Sequence, residues 1–325
     1  MDKPAVEITD MVKTFGETRA LDGLDLTVDA GSVCGMLGPN GAGKTTTIRI
    51  LATLLLPDRG AARVMGHDVV VDAGLVRRLV GLTGQFASVD ADMTGHENLI
   101  LVARLTGMKG ATARKRAGDL LEVFDLMEAA DRRVGTYSGG MRRRLDVAAS
   151  LVAAPDVLFL DEPTTGLDPR SRSQVWEIVQ GLVANGTTVL LTTQYLDEAD
   201  RLADRIAVID QGRMVAEGTS SELKASVGAA TLHVSLRDVA QQPEAQRILR
   251  DALGSDAHAA TDSGSFAVPV AEPEIATAAI ARLFNAEISV KDFSLDRPTL
   301  DEVFFALTGR PAHTDRPDTV KESAA

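Results

Sequence analysis

Short unbroken apolar runs alternate along the chain with stretches whose apolar residues recur every three or four positions. Val33-Cys34-Gly35-Met36-Leu37 predicts a buried strand. Val157-Leu158-Phe159-Leu160, Thr188-Val189-Leu190-Leu191 and the run over 206–209 predict three more. Such continuous runs suit a sheet covered on both faces. Residues 44–56 carry Ile48, Leu51 and Leu55 at helical spacing, and Pro57 should stop that helix. This alternation of strand and helix points to an α/β core, expected to occupy residues 1–225. From about 87 to 135 the pattern turns helical, with helices predicted over 96–105 and 111–127, which marks an insertion in the core. Beyond the core the order becomes strand 231–236, helix 243–253, strands 258–261 and 265–270, helix 272–284 and strand 287–293. That β-α-β-β-α-β succession predicts a small α+β, ferredoxin-like domain over 229–310, with a last helix after Pro298. Residues 311–325 are polar and predict a disordered tail.

Chemistry enters at the first strand. Gly38-Pro39-Asn40-Gly41-Ala42-Gly43-Lys44-Thr45 fits G-x-x-x-x-G-K-[ST] between a predicted strand and a predicted helix, the setting of a P-loop NTPase. Glycines let the backbone wrap a phosphate closely, and the helix adds its positive end. Lys44 is placed to reach the β- and γ-phosphates and Thr45 to hold Mg²⁺, with Thr46 completing the loop. A second pair of candidates follows the run at 157–160, where Asp161 and Glu162 stand at a strand's carboxyl end, the usual ligand edge of an open α/β sheet. Asp161 is the candidate Mg²⁺ ligand and Glu162 the candidate general base toward the attacking water. A third candidate is Ser138-Gly139-Gly140, ahead of a helix through Leu145, Ala148 and Leu151. Ser138 suits an N-cap, and the glycines keep the helix end open to phosphate.

Taken together these residues resemble the ATP-binding subunits of ABC transporters over roughly residues 5–220, in the family's order. Ser138-Gly139-Gly140 matches the family signature, although Tyr137 and Met141 replace its usual leucine and glutamine. The resemblance implies that Gln85 senses Mg²⁺ and couples to the membrane partner, and that Gly166-Leu167-Asp168 forms the D-loop. It also places Phe15 where the family stacks an aromatic on adenine, although its own pattern fits a core residue equally well. It implies ATP and Mg²⁺, and a head-to-tail homodimer in which Ser138, Gly139 and Gly140 of one copy complete the site formed by Lys44 and Glu162 of the other. One position departs: Gln194 stands where the family has its switch histidine. A glutamine amide can still bond the γ-phosphate, but it cannot take up a proton near neutral pH. The stretches Thr-Thr-Gln-Tyr-Leu-Asp-Glu-Ala from Thr192, Tyr-Ser-Gly-Gly-Met-Arg-Arg-Arg-Leu-Asp from Tyr137 and Arg297-Pro298-Thr299-Leu300-Asp301-Glu302-Val303-Phe304 resemble the daunorubicin-resistance type. That type implies drug or antibiotic export through a separate multi-span permease, at the cytoplasmic face of the membrane.

Bulk properties narrow the partners. The chain of 325 residues is 45% hydrophobic and 25% charged, values of a globular protein, and its net charge of −12 argues against a nucleic-acid partner. No run reaches the roughly 20 apolar residues of a membrane helix, and Asp2, Glu7, Asp10 and Glu17 interrupt any signal-peptide core. Cys34, the lone cysteine, reads as a buried apolar residue. Arg142-Arg143-Arg144 and Arg114-Lys115-Arg116 read as solvated helix faces, and Trp176 as packing. The five histidines have no metal-ligand spacing, and the smaller domain carries no visible catalytic cluster. Two alternatives remain open. A soluble ABC-type ATPase of DNA repair or translation is disfavoured by the single cassette, the short insertion and the lone cysteine. A regulatory nucleotide binder is disfavoured by Lys44, Asp161 and Glu162, though Gln194 leaves it in play.

Overall fold

The computed structural model describes residues 3–84, 89–227, 230–254, 258–259, 265–270, 273–296 and 298–308. Gln85 and the predicted tail lie outside them. The chain divides into two compact units, Met1–Ser220 and Ser221–Pro311.

The first unit opens with strands β1 (Val6–Phe15), β2 (Thr18–Val28) and β3 (Val33–Leu37), then helix α1 (Lys44–Leu51). Strands β4 (Arg59–Val64) and β5 (His67–Asp68), helix α2 (Ala73–Leu79) and strand β6 (Val80–Thr83) follow. The helical insertion holds α3 (Gly95–Leu105) and α4 (Gly110–Val123), and leads to α5 (Gly139–Ser150). The chain then returns to α/β order: β7 (Val157–Asp161), α6 (Pro169–Ala184), β8 (Thr188–Thr193), α7 (Leu196–Leu202), β9 (Arg205–Asp210) and β10 (Arg213–Gly218), after which α8 (Ser220–Val227) begins the second unit. The main sheet runs β10-β9-β3-β8-β7-β6, parallel except for the antiparallel edge strand β10. Strand β7 shows why its sequence does not alternate. Leu158 and Leu160 face a core shared with the insertion, beside Leu99, Leu121 and Leu145. Val157 and Phe159 face the opposite core, beside Met36, Ile48 and Leu51. Both faces are covered, as the apolar runs require.

A second, antiparallel sheet, β2-β1-β4-β5, is one that hydrophobic periodicity does not reveal. Its leading strand changes register between Ile8 and Met11, with Asp10 at φ 46, so the alternation that marks a strand breaks halfway. Two predicted helices also end early. The helix foreseen over 44–56 stops at Leu51 because Thr53 adopts φ 62; Leu54 and Leu56 are then exposed, and Leu55 alone packs on the core. The helix foreseen to 127 ends at Val123, and residues 127–129 form a separate 3₁₀ turn after Asp125 at φ 53.

The second unit has β11 (Ala230–Leu236), α9 (Gln242–Leu253), β12 (His258–Ala259), β13 (Ser265–Val270), α10 (Pro273–Asn285), β14 (Val290–Asp296) and α11 (Leu300–Thr308). Its antiparallel sheet, β12-β13-β11-β14, has the ferredoxin-like order. The strand expected at 287–293 begins at Val290 instead, because Glu287 takes φ 57 and Ile288 turns into the local core.

Candidate functional site

The loop after β3 is shaped by glycines at two points. Gly43, which caps α1, sits at φ 108, and a Cβ there would lie 2.5 Å from the Ala20 carbonyl oxygen. A Cβ on Gly38 would fall 2.3 Å from the Ile209 carbonyl oxygen. Neither position accepts a side chain, so the loop stays close to its neighbours and its amides stay free of side-chain cover. Lys44 is 5% exposed. Its ammonium donates to the Gly38 carbonyl at 2.6 Å and to the Pro39 carbonyl at 3.1 Å, and lies 4.0 Å from Glu162 Oε1. Burial pulls this lysine below its ordinary pKa, opposed by the Glu162 and Asp161 carboxylates. Polyanion charge arriving here would relieve the same desolvation.

Phe15, Asn40, Gly41, Ala42, Gly43, Lys44, Thr45, Thr46 and Glu162 line a cleft of about 510 Å³. Phe15 is half exposed at its rim, with the Lys13 ammonium 5.6 Å from the ring centre, so its alternative reading as a core residue fails. Pro39, within the loop, is not among the residues that line this cleft and contributes its carbonyl to Lys44 instead.

Asp161, buried at the end of β7, accepts from the Thr45 hydroxyl at 3.2 Å. Mg²⁺ takes hard oxygen donors from one or two protein groups, with phosphate oxygens and waters completing the shell. Thr45 and Asp161 are a hydroxyl and a carboxylate of that kind, already within hydrogen-bond reach of each other where Thr45 lines the cleft. The donor set fits the ion. On the other side of Asp161 stands a residue that sequence patterning passes over: the Thr192 hydroxyl donates to the same oxygen, Oδ1, at 2.6 Å. Glu162 follows at φ 49, with Oε2 accepting from the Thr165 hydroxyl at 3.2 Å. Gln194 does not border the cleft. It follows β8, and its Oε1 is buried without a hydrogen-bond partner among the described residues.

Ser138 and Gly140 meet different neighbours. The Ser138 hydroxyl caps α5 by accepting from the Met141 N–H at 3.2 Å, as its residue type foretells. Ser138 and Gly139 are exposed, and Gly140 is buried. Gly139 borders a separate cavity with Arg142, Arg143, Glu162, Thr165 and Gly166, so the phosphate loop and the signature turn share only Glu162. Asp168 caps α6, accepting from the Ser171 N–H at 3.0 Å and hydroxyl at 2.6 Å. Those bonds hold its carboxyl below the usual value.

The expectation of a solvated face for Arg142-Arg143-Arg144 is overturned. Arg143 donates to the carbonyls of Pro163 (2.7 Å), Gly84 (2.8 Å), Asp161 and Glu162 (both 3.1 Å), and meets Asp146 at 3.3 Å. Arg144 donates to the Phe124 carbonyl at 3.0 Å, and Arg142 to that of Val134 at 3.4 Å. Loop carbonyls beneath the insertion have no ladder to join, and a guanidinium fork satisfies several at once. Similarly, Arg114 and Lys115 are exposed, but Arg116 bonds the Leu151 carbonyl at 2.6 Å, closing the end of α5. Trp176 packs, and its indole donates to the buried Glu198 at 3.1 Å. Cys34 is buried, and desolvation pushes its thiol up to about 12.

Two families match the chain: one described as ABC transporter over residues 21–165, the other as ATP-binding protein DrrA1-3-like, C-terminal domain, over 218–308. The daunorubicin/doxorubicin resistance ATP-binding protein DrrA of Streptomyces peucetius is 58% identical over 308 residues, covering 95% of this chain and 93% of that protein. The daunorubicin resistance ATP-binding protein DrrA2 of Streptomyces coeruleorubidus is 51% identical over 325 residues and the full length of both. Among solved structures, a dimeric post-hydrolysis state of an ATP-binding cassette bound to ADP and Pi matches with TM-score 0.61 and 25% identity, over 66% of this chain and 98% of that one.

Proposed function

Since the chain belongs to the ATP-binding subunits of ABC transporters, a family that hydrolyses ATP to power transport, we propose that it energises export of a drug or antibiotic-like compound. It does so as a homodimer beneath a separate multi-span permease at the cytoplasmic face of the membrane. The observation that carries this reading is the buried Lys44 ammonium, held by loop carbonyls 4.0 Å from Glu162 and bordering a cleft of about 510 Å³, within the range of small-molecule sites. The names of the DrrA relatives support drug export. The dimeric cassette with ADP and Pi supports pairing of two copies. No helix among the described residues is long and apolar enough to cross a membrane, so the path for cargo is assigned to the partner.

In this reading Phe15 stacks on adenine, and the backbone from Gly38 to Thr46 wraps the phosphates. Lys44 neutralises the β- and γ-phosphates. Thr45 and Asp161 would hold Mg²⁺, which when bound would supply further neutralisation of phosphate charge. Gln85 is assigned to sensing Mg²⁺ and to permease coupling, by likeness to the family. Glu162 orients and deprotonates the attacking water. Gln194 bonds the γ-phosphate by donating from its amide NH₂, the one end of that side chain able to serve a phosphate oxygen. Ser138, Gly139, Gly140 and Asp168 act across the dimer on the other copy's nucleotide. Residues 1–225 form the ATPase domain and 229–310 the accessory domain.

Steady-state ATPase of the purified full-length chain against Glu162→Gln tests the proposal. Glu162→Gln should lose roughly 100-fold or more in kcat, the scale of a general base. Equal rates would remove Glu162 from the chemistry.

A further inference from the structure

β7 and β8 run side by side in parallel, with Asp161 paired to Thr192. This register puts the fully buried Thr192 against both acidic residues of the site. Its hydroxyl donates to Asp161 Oδ1 at 2.6 Å and accepts from the Glu162 N–H at 3.1 Å. A threonine hydroxyl has one proton and two lone pairs, so both bonds form together. Each acts on a residue that needs restraint. Asp161 Oδ1 also receives the Thr45 hydroxyl, at 3.2 Å. That longer bond is on the cleft side, where a cation would replace it; the shorter Thr192 bond lies behind and can persist. Glu162 sits at φ 49, a conformation that strains a residue bearing a Cβ and survives only where neighbours enforce it. The enforcing contact is Thr192 twice over, because the Glu162 N–H also points to the Thr192 carbonyl at 3.1 Å.

We propose that Thr192 is a positioning residue for ATP hydrolysis, its one hydroxyl fixing the Asp161 carboxylate toward a divalent cation and the Glu162 backbone toward the attacking water. The proposal rests on the ATPase reading above. Partners that orient a metal ligand from behind typically cost 10- to 100-fold in metal affinity or activity when removed. Valine keeps the branched shape and lacks the hydroxyl; serine keeps the hydroxyl and drops a methyl.

The experiment is a MgCl₂ titration of the purified full-length chain, Thr192→Val, Thr192→Ser and Thr192→Ala. Two readouts are followed: binding of a fluorescent ATP analogue, with an EDTA control, and steady-state ATPase. In Thr192→Val the half-saturating Mg²⁺ for binding should rise about 10-fold or more, and kcat should fall about 10- to 100-fold. Analogue binding in EDTA should stay near wild type. Thr192→Ser should bring both readouts back to within a few-fold, and Thr192→Ala should repeat the valine pattern, including where valine fails to fold. A valine variant with wild-type Mg²⁺ demand and kcat, or a serine variant as impaired as valine, would overturn the role of Thr192 while leaving the ATPase intact. A wild-type chain that neither binds the analogue nor hydrolyses ATP would instead overturn the ATPase reading, and this proposal with it.

Discussion

Around Lys44 the polar side chains are already tied down. The ammonium is bonded to two loop carbonyls, and Asp161 accepts from Thr45 and Thr192. At Ser138-Gly139-Gly140 the situation is reversed: Ser138 and Gly139 are exposed, and the one hydroxyl serves to cap the helix behind it. The phosphate loop is therefore a preformed charge cradle, while the signature turn is an exposed helix end. Their cavities share only Glu162. In the proposed dimer, each copy brings one finished half-site and one waiting half-site, and ATP joins them.

The sharpest way to break that contrast is to damage each half separately. Lys44→Ala should weaken binding of a fluorescent ATP analogue by about 10- to 100-fold, the worth of charge-assisted bonds to phosphate. Gly139→Asp puts a negative charge at the start of α5, where a phosphate should arrive. It should leave analogue binding to the single copy near wild type, yet reduce ATPase by about 100-fold or more. If both variants lost binding equally, the two halves would not be separate.

Arg143 lies between the halves, on the signature helix but bonded to the carbonyls of Asp161 and Glu162. Arg143→Met strands several buried carbonyls at once, and the expected loss is about 2 kcal/mol of stability. Thermal melting should register it as a Tm drop of roughly 4–8 °C. An unchanged Tm would mean that the carbonyls find other partners.

These particulars show which parts of the molecule the amino-acid order discloses. The phosphate loop is legible because its glycines and lysine act within eight consecutive positions. Asp161 and Glu162 are legible because a buried apolar strand delivers them to the ligand edge. The ferredoxin-like order of the second unit follows from ordinary strand and helix periodicity. Thr192 is not legible, since its contact with Asp161 depends on the register of two strands 31 positions apart. Arg143 misleads for a related reason: three consecutive arginines suggest water, and only the carbonyls of Gly84, Pro163 and their neighbours turn them inward. The first antiparallel sheet is hidden by the irregularity after Ile8.

Two smaller effects sharpen the picture. Gln194 cannot titrate near neutrality, so Gln194→His should add an inflection near pH ~6.5 to the ATPase profile that the wild type lacks. Identical profiles would detach position 194 from the γ-phosphate. Cys34, buried with its thiol raised to about 12, should resist a thiol reagent at pH 8 in the native protein and react only on unfolding. Prompt native labelling would mean that the core around β3 opens.

The most direct test of the two-copy site is the molar mass of Glu162→Gln by light scattering, with and without MgATP, since a slowed variant should hold the nucleotide-bound state. The mass should double when MgATP is added, and Gly139→Asp on the same background should prevent the doubling. A Glu162→Gln chain that binds MgATP and keeps the mass of one copy would contradict the shared site.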